Sequence, residues 1–164
     1  MSTIDETVKA NKAYAEKFEL GNLPIPPARK LAIVACMDAR ITVEQALGLK
    51  TGDAHIIRNA GGIVTEDVIR SIIISHHLLG TQEFMVINHT DCGMLTFKDD
   101  ELKSQLREKT QTTAAAPETF HAFPDLERNV KEQVEKIKSH PWIPKDVPVR
   151  GFIYNVQEGR LQEV

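Results

Sequence analysis

The sequence predicts an α/β fold with parallel strand pairing, and three observations carry that expectation. Short apolar runs alternate with capped amphipathic segments, the pattern of strands joined by right-handed helical crossovers. The first run, Leu31 to Cys36, is apolar throughout instead of alternating, as a strand covered on both faces is. The runs also stop abruptly in polar or glycine-rich residues, and the edge where parallel strands end is the usual place for a site.

Residues 2 to 20 read as a helix, with Ser2 or Thr3 as the cap and Asp5 and Glu6 in the first turn. Val8, Tyr14, Ala15 and Phe18 form only a thin apolar stripe. Such a helix either lies across another subunit or stays a partly frayed surface helix. Gly21 to Arg29, with Pro24, Pro26 and Pro27, is an extended connector. Leu31 to Cys36 is the first strand. A short helix follows over Thr42 to Leu47, then a turn over Gly48 to Gly52. Ala54 to Asn59 is the second strand, ending in Ala60-Gly61-Gly62. Thr65 caps the next helix, Glu66 and Asp67 fill its first turn, and Gly80 stops it. Val68, Ile69, Ile72, Ile73, Leu78 and Leu79 make it apolar nearly all round, which predicts a well-buried helix. Glu83 to Asn88 is the third strand, and Lys98 to Lys109 a charged helix with Leu102 and Leu106 on one side. Gln111 to Pro117 is a loop of low complexity. Asp125 to Lys138 is amphipathic, with Leu126, Val130, Val134 and Ile137 on one face. Pro141, Pro144 and Pro148 mark a connector to the last strand, Val149 to Val156, and Glu158-Gly159 turns the chain into a short tail. There is no internal repeat.

At 164 residues the chain fits one domain, residues 1–164, long enough to bury a real core. With 41% hydrophobic and 26% charged residues it falls in the soluble globular class. Twenty basic and 23 acidic residues are well mixed, so no basic stripe points to nucleic acid and no polybasic cluster to a membrane surface. No apolar run approaches the roughly 18 residues that span a bilayer. The polar, partly acidic N-terminus is not a signal peptide, and two cysteines make no disulfide framework, so a cytoplasmic location is expected.

Both cysteines sit just past the end of an apolar run. Cys36 is followed by Asp38 and Arg40, and 49 residues after Arg40 the run Phe84 to Ile87 leads into His89-Thr90-Asp91-Cys92. Thiolate and imidazole together suit Zn2+ in a tetrahedral site, and two Cys with one His supply three ligands. The fourth is water, a carboxylate or another histidine. Taken singly, Cys36 reads equally as a small buried hydrophobe and His89 as a hydrogen-bonded core histidine. Their joint placement at strand ends favours one metal site. Asp38 either ligates the metal, caps the following helix or pairs with Arg40, whose fork can hold it ionised and acceptor-only. In that state it can orient a metal-bound hydroxide, a nucleophile available near neutral pH because zinc lowers the pKa of bound water to about 7.

Cys-x-Asp-x-Arg followed after about fifty residues by His-x-x-Cys resembles the signature of the β-class carbonic anhydrases. CMDAR, HIIRNAGG and HTDCGM are similar to its short archaeal and mycobacterial branch, which also includes carbonyl sulfide hydrolases. The resemblance is strong from Ala28 to about Phe97 and looser at RGFIYNV. It implies a mostly parallel four-stranded sheet flanked by helices, divided into an N-terminal arm (1–27), a zinc-site core (28–97) and a C-terminal part (98–164). It implies zinc bound by Cys36, His89 and Cys92, with Asp38 and Arg40 as the catalytic dyad. It also implies a homodimer or a multiple of it, with the N-terminal helix on the partner. The expected reaction is hydration of carbon dioxide to bicarbonate. Gly61 and Gly62 are expected to position oxygen atoms through their N–H groups. Met94, Leu95, Thr96 and Phe97 suggest an apolar mouth suited to a small neutral gas, so carbonyl sulfide or carbon disulfide hydrolysis is the alternative. A non-catalytic zinc-binding or redox-sensing protein is a further one.

Overall fold

The computed structural model describes residues 1–115 and 117–164. Its centre is one sheet with strand order β2-β1-β3-β4-β5, made of β1 (Leu31–Cys36), β2 (Ala54–Asn59), β3 (Glu83–His89), β4 (Val149–Asn155) and β5 (Arg160–Glu163). The first four are mutually parallel, as the strand–helix alternation predicts. Each is an expected strand to within a residue or so of its ends.

The fifth strand corrects the expected count of four. The tail after Glu158-Gly159 folds back antiparallel on β4, with Asn155 opposite Arg160 and Phe152 opposite Glu163. The side chain of Asn155 accepts from the N–H groups of Gln157 and Glu158, and Gly159 takes a positive φ of 68° to close the turn. Arg-Leu-Gln-Glu has no apolar alternation, because an exposed edge strand needs none, and its charge discourages pairing with other chains.

Among the described residues five α-helices accompany the sheet: α1 (Thr3–Ala15), α2 (Val43–Ala46), α3 (Glu66–His77), α4 (Asp99–Thr110) and α5 (Leu126–Ser139). Helix α1 starts on a capping box, Ser2 N–H to Asp5 Oδ2 (2.8 Å) and Asp5 N–H to Ser2 Oγ (3.2 Å). It ends at Ala15, earlier than expected, and buries no residue. The low-complexity loop follows α4; of its seven residues, Ala116 lies outside the described ones.

Strand β1 is covered on both faces. Ala32 and Val34 join Val68, Ile72, Phe84, Val86, Ile137 and Val149 in one core, while Ile33 and Ala35 join Ile41, Ile63, Ile87, Met94 and Phe123 in the other. Helix α3 is less buried than its apolar residues predict. Val68, Ile72 and Ser75 face β1 and β2, but Ile74 and Leu78 are exposed, since one helix can turn only one stripe to a sheet. Helix α5 lies on β3 and β4, and Gly151 permits its close approach: a Cβ there would fall 2.5 Å from Val130 Cγ1. Among the described residues no helix is long and apolar enough to cross a membrane.

Candidate metal centre

Because β1, β2 and β3 are parallel and adjacent, their carboxyl ends open on one edge of the sheet, and the chemistry gathers there. Cys36 is the last residue of β1 and His89 the last of β3. Cys92 returns to the same spot through a tight turn in which Asp91 adopts a left-handed φ of 56°, a conformation aspartate tolerates. The two sulfurs and a ring nitrogen of His89 all lie within 4.8 Å of one another, and all three residues are buried. None of the other five histidines joins this set among the described residues.

The chemistry of these donors fits a metal. His89 Nδ1 lies 2.8 Å from the Thr90 carbonyl, which can only accept, so the proton sits on Nδ1 and the lone pair on Nε2. Nε2 is buried without a hydrogen-bond partner, an arrangement that costs free energy unless an electrophile takes the lone pair. Without metal, the contact with the Cys92 side chain lowers the Cys36 thiol, and the same contact raises Cys92. The pair thus shares one proton, which a cation would displace. Burial opposes charge on His89, but the nearby Cys36 sulfur and the bond to the Thr90 carbonyl raise its pKa on balance.

Beside this cluster Arg40 grips Asp38 with a two-pronged fork. Nε donates to Oδ1 at 2.9 Å, Nη2 to Oδ2 at 2.8 Å, and the Arg40 backbone N–H adds a third bond to Oδ1 at 2.9 Å. These bonds hold the Asp38 carboxyl well below the usual carboxylate range and raise Arg40. Asp38 Oδ2 remains 3.7 Å from His89 Nε2, so the ionised oxygen borders the donor cluster while both oxygens are engaged by arginine.

The glycine turn after β2 packs against β1 and β3. The carbonyls of Gly61 and Gly62 accept from Asn88 Nδ2 at 2.9 and 3.3 Å. Asn88 is the first of a buried amide chain: Asn129 Nδ2 donates to its Oδ1 (2.7 Å), Gln133 Nε2 donates to Asn129 (2.9 Å), and Gln133 accepts from the Val64 N–H (2.9 Å). Helix α5 thereby fixes the glycine turn through residues that an amphipathic reading leaves aside. Asn88 carried a signal, as a lone amide inside an apolar strand. Arg58 carried none, since an arginine at a strand end reads as surface. It donates to the carbonyls of Cys36 (2.9 Å) and Asp38 (2.7 Å) and so fastens the loop bearing both.

Comparisons with known proteins place the chain among known relatives. A family model described as carbonic anhydrase matches residues 31–161. Beta-carbonic anhydrase 1 of Mycobacterium tuberculosis is 46% identical over 100% of this chain and 99% of its own length. Carbon disulfide hydrolase of Saccharolobus solfataricus is 37% identical over 98% of this chain and 88% of its own. A crystal structure of carbonic anhydrase from Streptococcus mutans superposes with a TM-score of 0.94 at 47% identity, covering 100% of this chain and 98% of that one. With a model match from β1 into β5 and a relative at that identity over nearly its whole length, the chain belongs to the β-carbonic anhydrase family.

Proposed function

We propose that this protein hydrates carbon dioxide to bicarbonate with one zinc ion per chain held by Cys36, His89 and Cys92. The observation that carries the reading is the buried, partnerless Nε2 of His89 converging with two sulfurs beside an arginine-clamped aspartate. Zinc bound there supplies a Lewis acid that makes water nucleophilic near neutral pH. Asp38, ionised and acceptor-only, takes a hydrogen bond from the attacking water and aims its remaining lone pair at carbon. Arg40 fixes the direction of that acceptor. Because Arg40 keeps Asp38 too acidic to hold a proton at neutral pH, Asp38 orients and the proton leaves to solvent. Gly61 and Gly62 shape the wall between the thiolate and the apolar residues Met94 and Phe123.

A second reading, hydrolysis of carbon disulfide or carbonyl sulfide to hydrogen sulfide and carbon dioxide, is favoured by the similarity to carbon disulfide hydrolases. The same attack on a linear carbon electrophile serves both. Purified, zinc-loaded protein offered each gas separately decides between them. Stopped-flow hydration of carbon dioxide is the expected dominant activity, and sulfide release with negligible hydration would reverse the order. Inactivity toward all three gases at full zinc content would leave a binding or sensing role.

Asp38→Asn is expected to keep zinc and the melting temperature while hydration falls about a hundredfold, the scale of a misoriented nucleophile. Wild-type turnover in Asp38→Asn would remove Asp38 from the reaction.

A homodimer with α1 laid across the partner belongs to the same proposal. Helix α1 buries nothing, and Ile4, Val8, Tyr14 and Phe18 stand exposed along the arm. A reducing cytoplasm suits two thiols kept free as ligands.

A further inference from the structure

The arginine of the dyad has a second carboxylate partner. Arg40 uses four of its five side-chain N–H bonds. One edge of the guanidinium, Nε and Nη2, faces Asp38. The other faces Asp91, with Nη1 donating to Asp91 Oδ2 at 2.7 Å and Nη2 to the Asp91 carbonyl at 3.0 Å. We propose that Asp91 is a positioning residue of the dyad, holding Arg40 by its second edge so that Asp38 presents one fixed acceptor direction. The assignment rests on the reading of Asp38 as the group that orients water in hydration.

Three features raise this contact above an ordinary surface ion pair, which contributes little. It is made by side chain and backbone of one residue, so two donors must break together for Arg40 to swing away. Asp91 lies between His89 and Cys92, on the turn that aims both of them, so its position is set by the donor cluster itself. Its left-handed backbone, φ 56°, turns carboxylate and carbonyl toward the same guanidinium. An arginine bonded to Asp38 alone keeps the freedom of a long side chain, and Asp38 would share that freedom. Asp91 instead ties the dyad to the turn carrying two of the three donors. A shift of that turn therefore moves Arg40, and Asp38 with it.

The test uses zinc-loaded full-length protein and two variants that tolerate the left-handed backbone. Asp91→Gly removes the carboxylate, and Asp91→Asn keeps one acceptor without the charge. The first measurement needs no turnover. Hydrogen exchange of the Arg40 Nε–H is followed by nitrogen-edited NMR, with Arg40→Lys assigning the signal. Exchange is expected to be slow in the wild type and at least about fivefold faster in Asp91→Gly. The second measurement is carbon dioxide hydration. The kcat is expected to fall about tenfold in Asp91→Gly and about threefold in Asp91→Asn, with KM within about twofold, since the loss is confined to transition-state geometry. Zinc content and melting temperature should match the wild type. Unchanged exchange in Asp91→Gly overturns the proposal, whatever kcat does. So does a kcat loss that tracks lost zinc or a lowered melting temperature in both variants, because the residue would then serve only the turn. A wild type that slows Arg40 exchange but does not hydrate carbon dioxide would refute the hydration reading and leave the hold of Asp91 on Arg40 standing.

Discussion

Cys36→Ser is expected to empty the metal site and abolish hydration. The variant removes one of three donors, and serine replaces a thiolate that is ionised far below the usual thiol range by a hydroxyl that is not. The two remaining donors, His89 Nε2 and the Cys92 sulfur, cannot hold a four-coordinate zinc at ordinary concentrations. Zinc content should fall from about one per chain to a small fraction. Hydration should fall by at least about a thousandfold, because water then attacks without Lewis-acid activation. The fold should survive, since the substitution is nearly isosteric and the neighbouring core of Ile33, Ala35, Ile63 and Ile87 is untouched. Elemental analysis, stopped-flow hydration and circular dichroism on the same preparation check all three statements. Full zinc content in Cys36→Ser would mean that the three-donor assignment is wrong.

The residues of that site were legible in the sequence because each is a reactive type at the end of an apolar run. Cys36, His89 and Cys92 could be named from strand ends alone, and the parallel order of β1, β2 and β3 needed only the strand–helix alternation. The parts that escaped share a physical reason: they act through long-range pairing that leaves no local pattern. Arg58 reaches the Cys36 and Asp38 carbonyls from the next strand, and Asp91 meets Arg40 across 51 positions of chain. Asn129 and Gln133 lie on the buried side of α5, where periodicity assigns only apolar residues, because their amides meet Asn88 instead of water. Strand β5 escaped for the opposite reason, its pairing being made by the backbone of an edge that needs no apolar side chains. The stopping points of α1 and the exposure of Ile74 and Leu78 on α3 depend on which surface each helix faces, and propensity does not encode that.

Gly62→Ala is expected to damage the fold and the site together. Gly62 holds φ at 63°, where a side chain costs about 1–2 kcal/mol. A Cβ would also stand 2.8 Å from Asn88 Nδ2, 2.9 Å from the Cys36 backbone nitrogen and 3.0 Å from the Ala35 carbonyl carbon. Two of those three neighbours are backbone of the central strand, which cannot step aside as a rotamer does. Relieving the contact means displacing β1 at the residue that carries a metal donor, an overpacking cost of about 1–3 kcal/mol. Together they predict a loss of about 2–5 kcal/mol and a melting temperature lower by roughly 5–15 °C for a chain of this size. Gly61→Ala is the informative control. Its φ of 83° is strained too, but its Cβ would meet the side chains of Met94 (3.0 Å), Ile63 (3.2 Å) and Phe123 (3.4 Å), which can give way. If backbone contact is what makes position 62 intolerant, Gly62→Ala loses more stability and more zinc than Gly61→Ala. Equal losses in calorimetry and metal analysis would put the whole effect on the left-handed backbone and none on the approach to Cys36. The expected inequality follows from where the turn sits: it packs against the strand at the donor itself, so a methyl group added for no chemical purpose moves a sulfur.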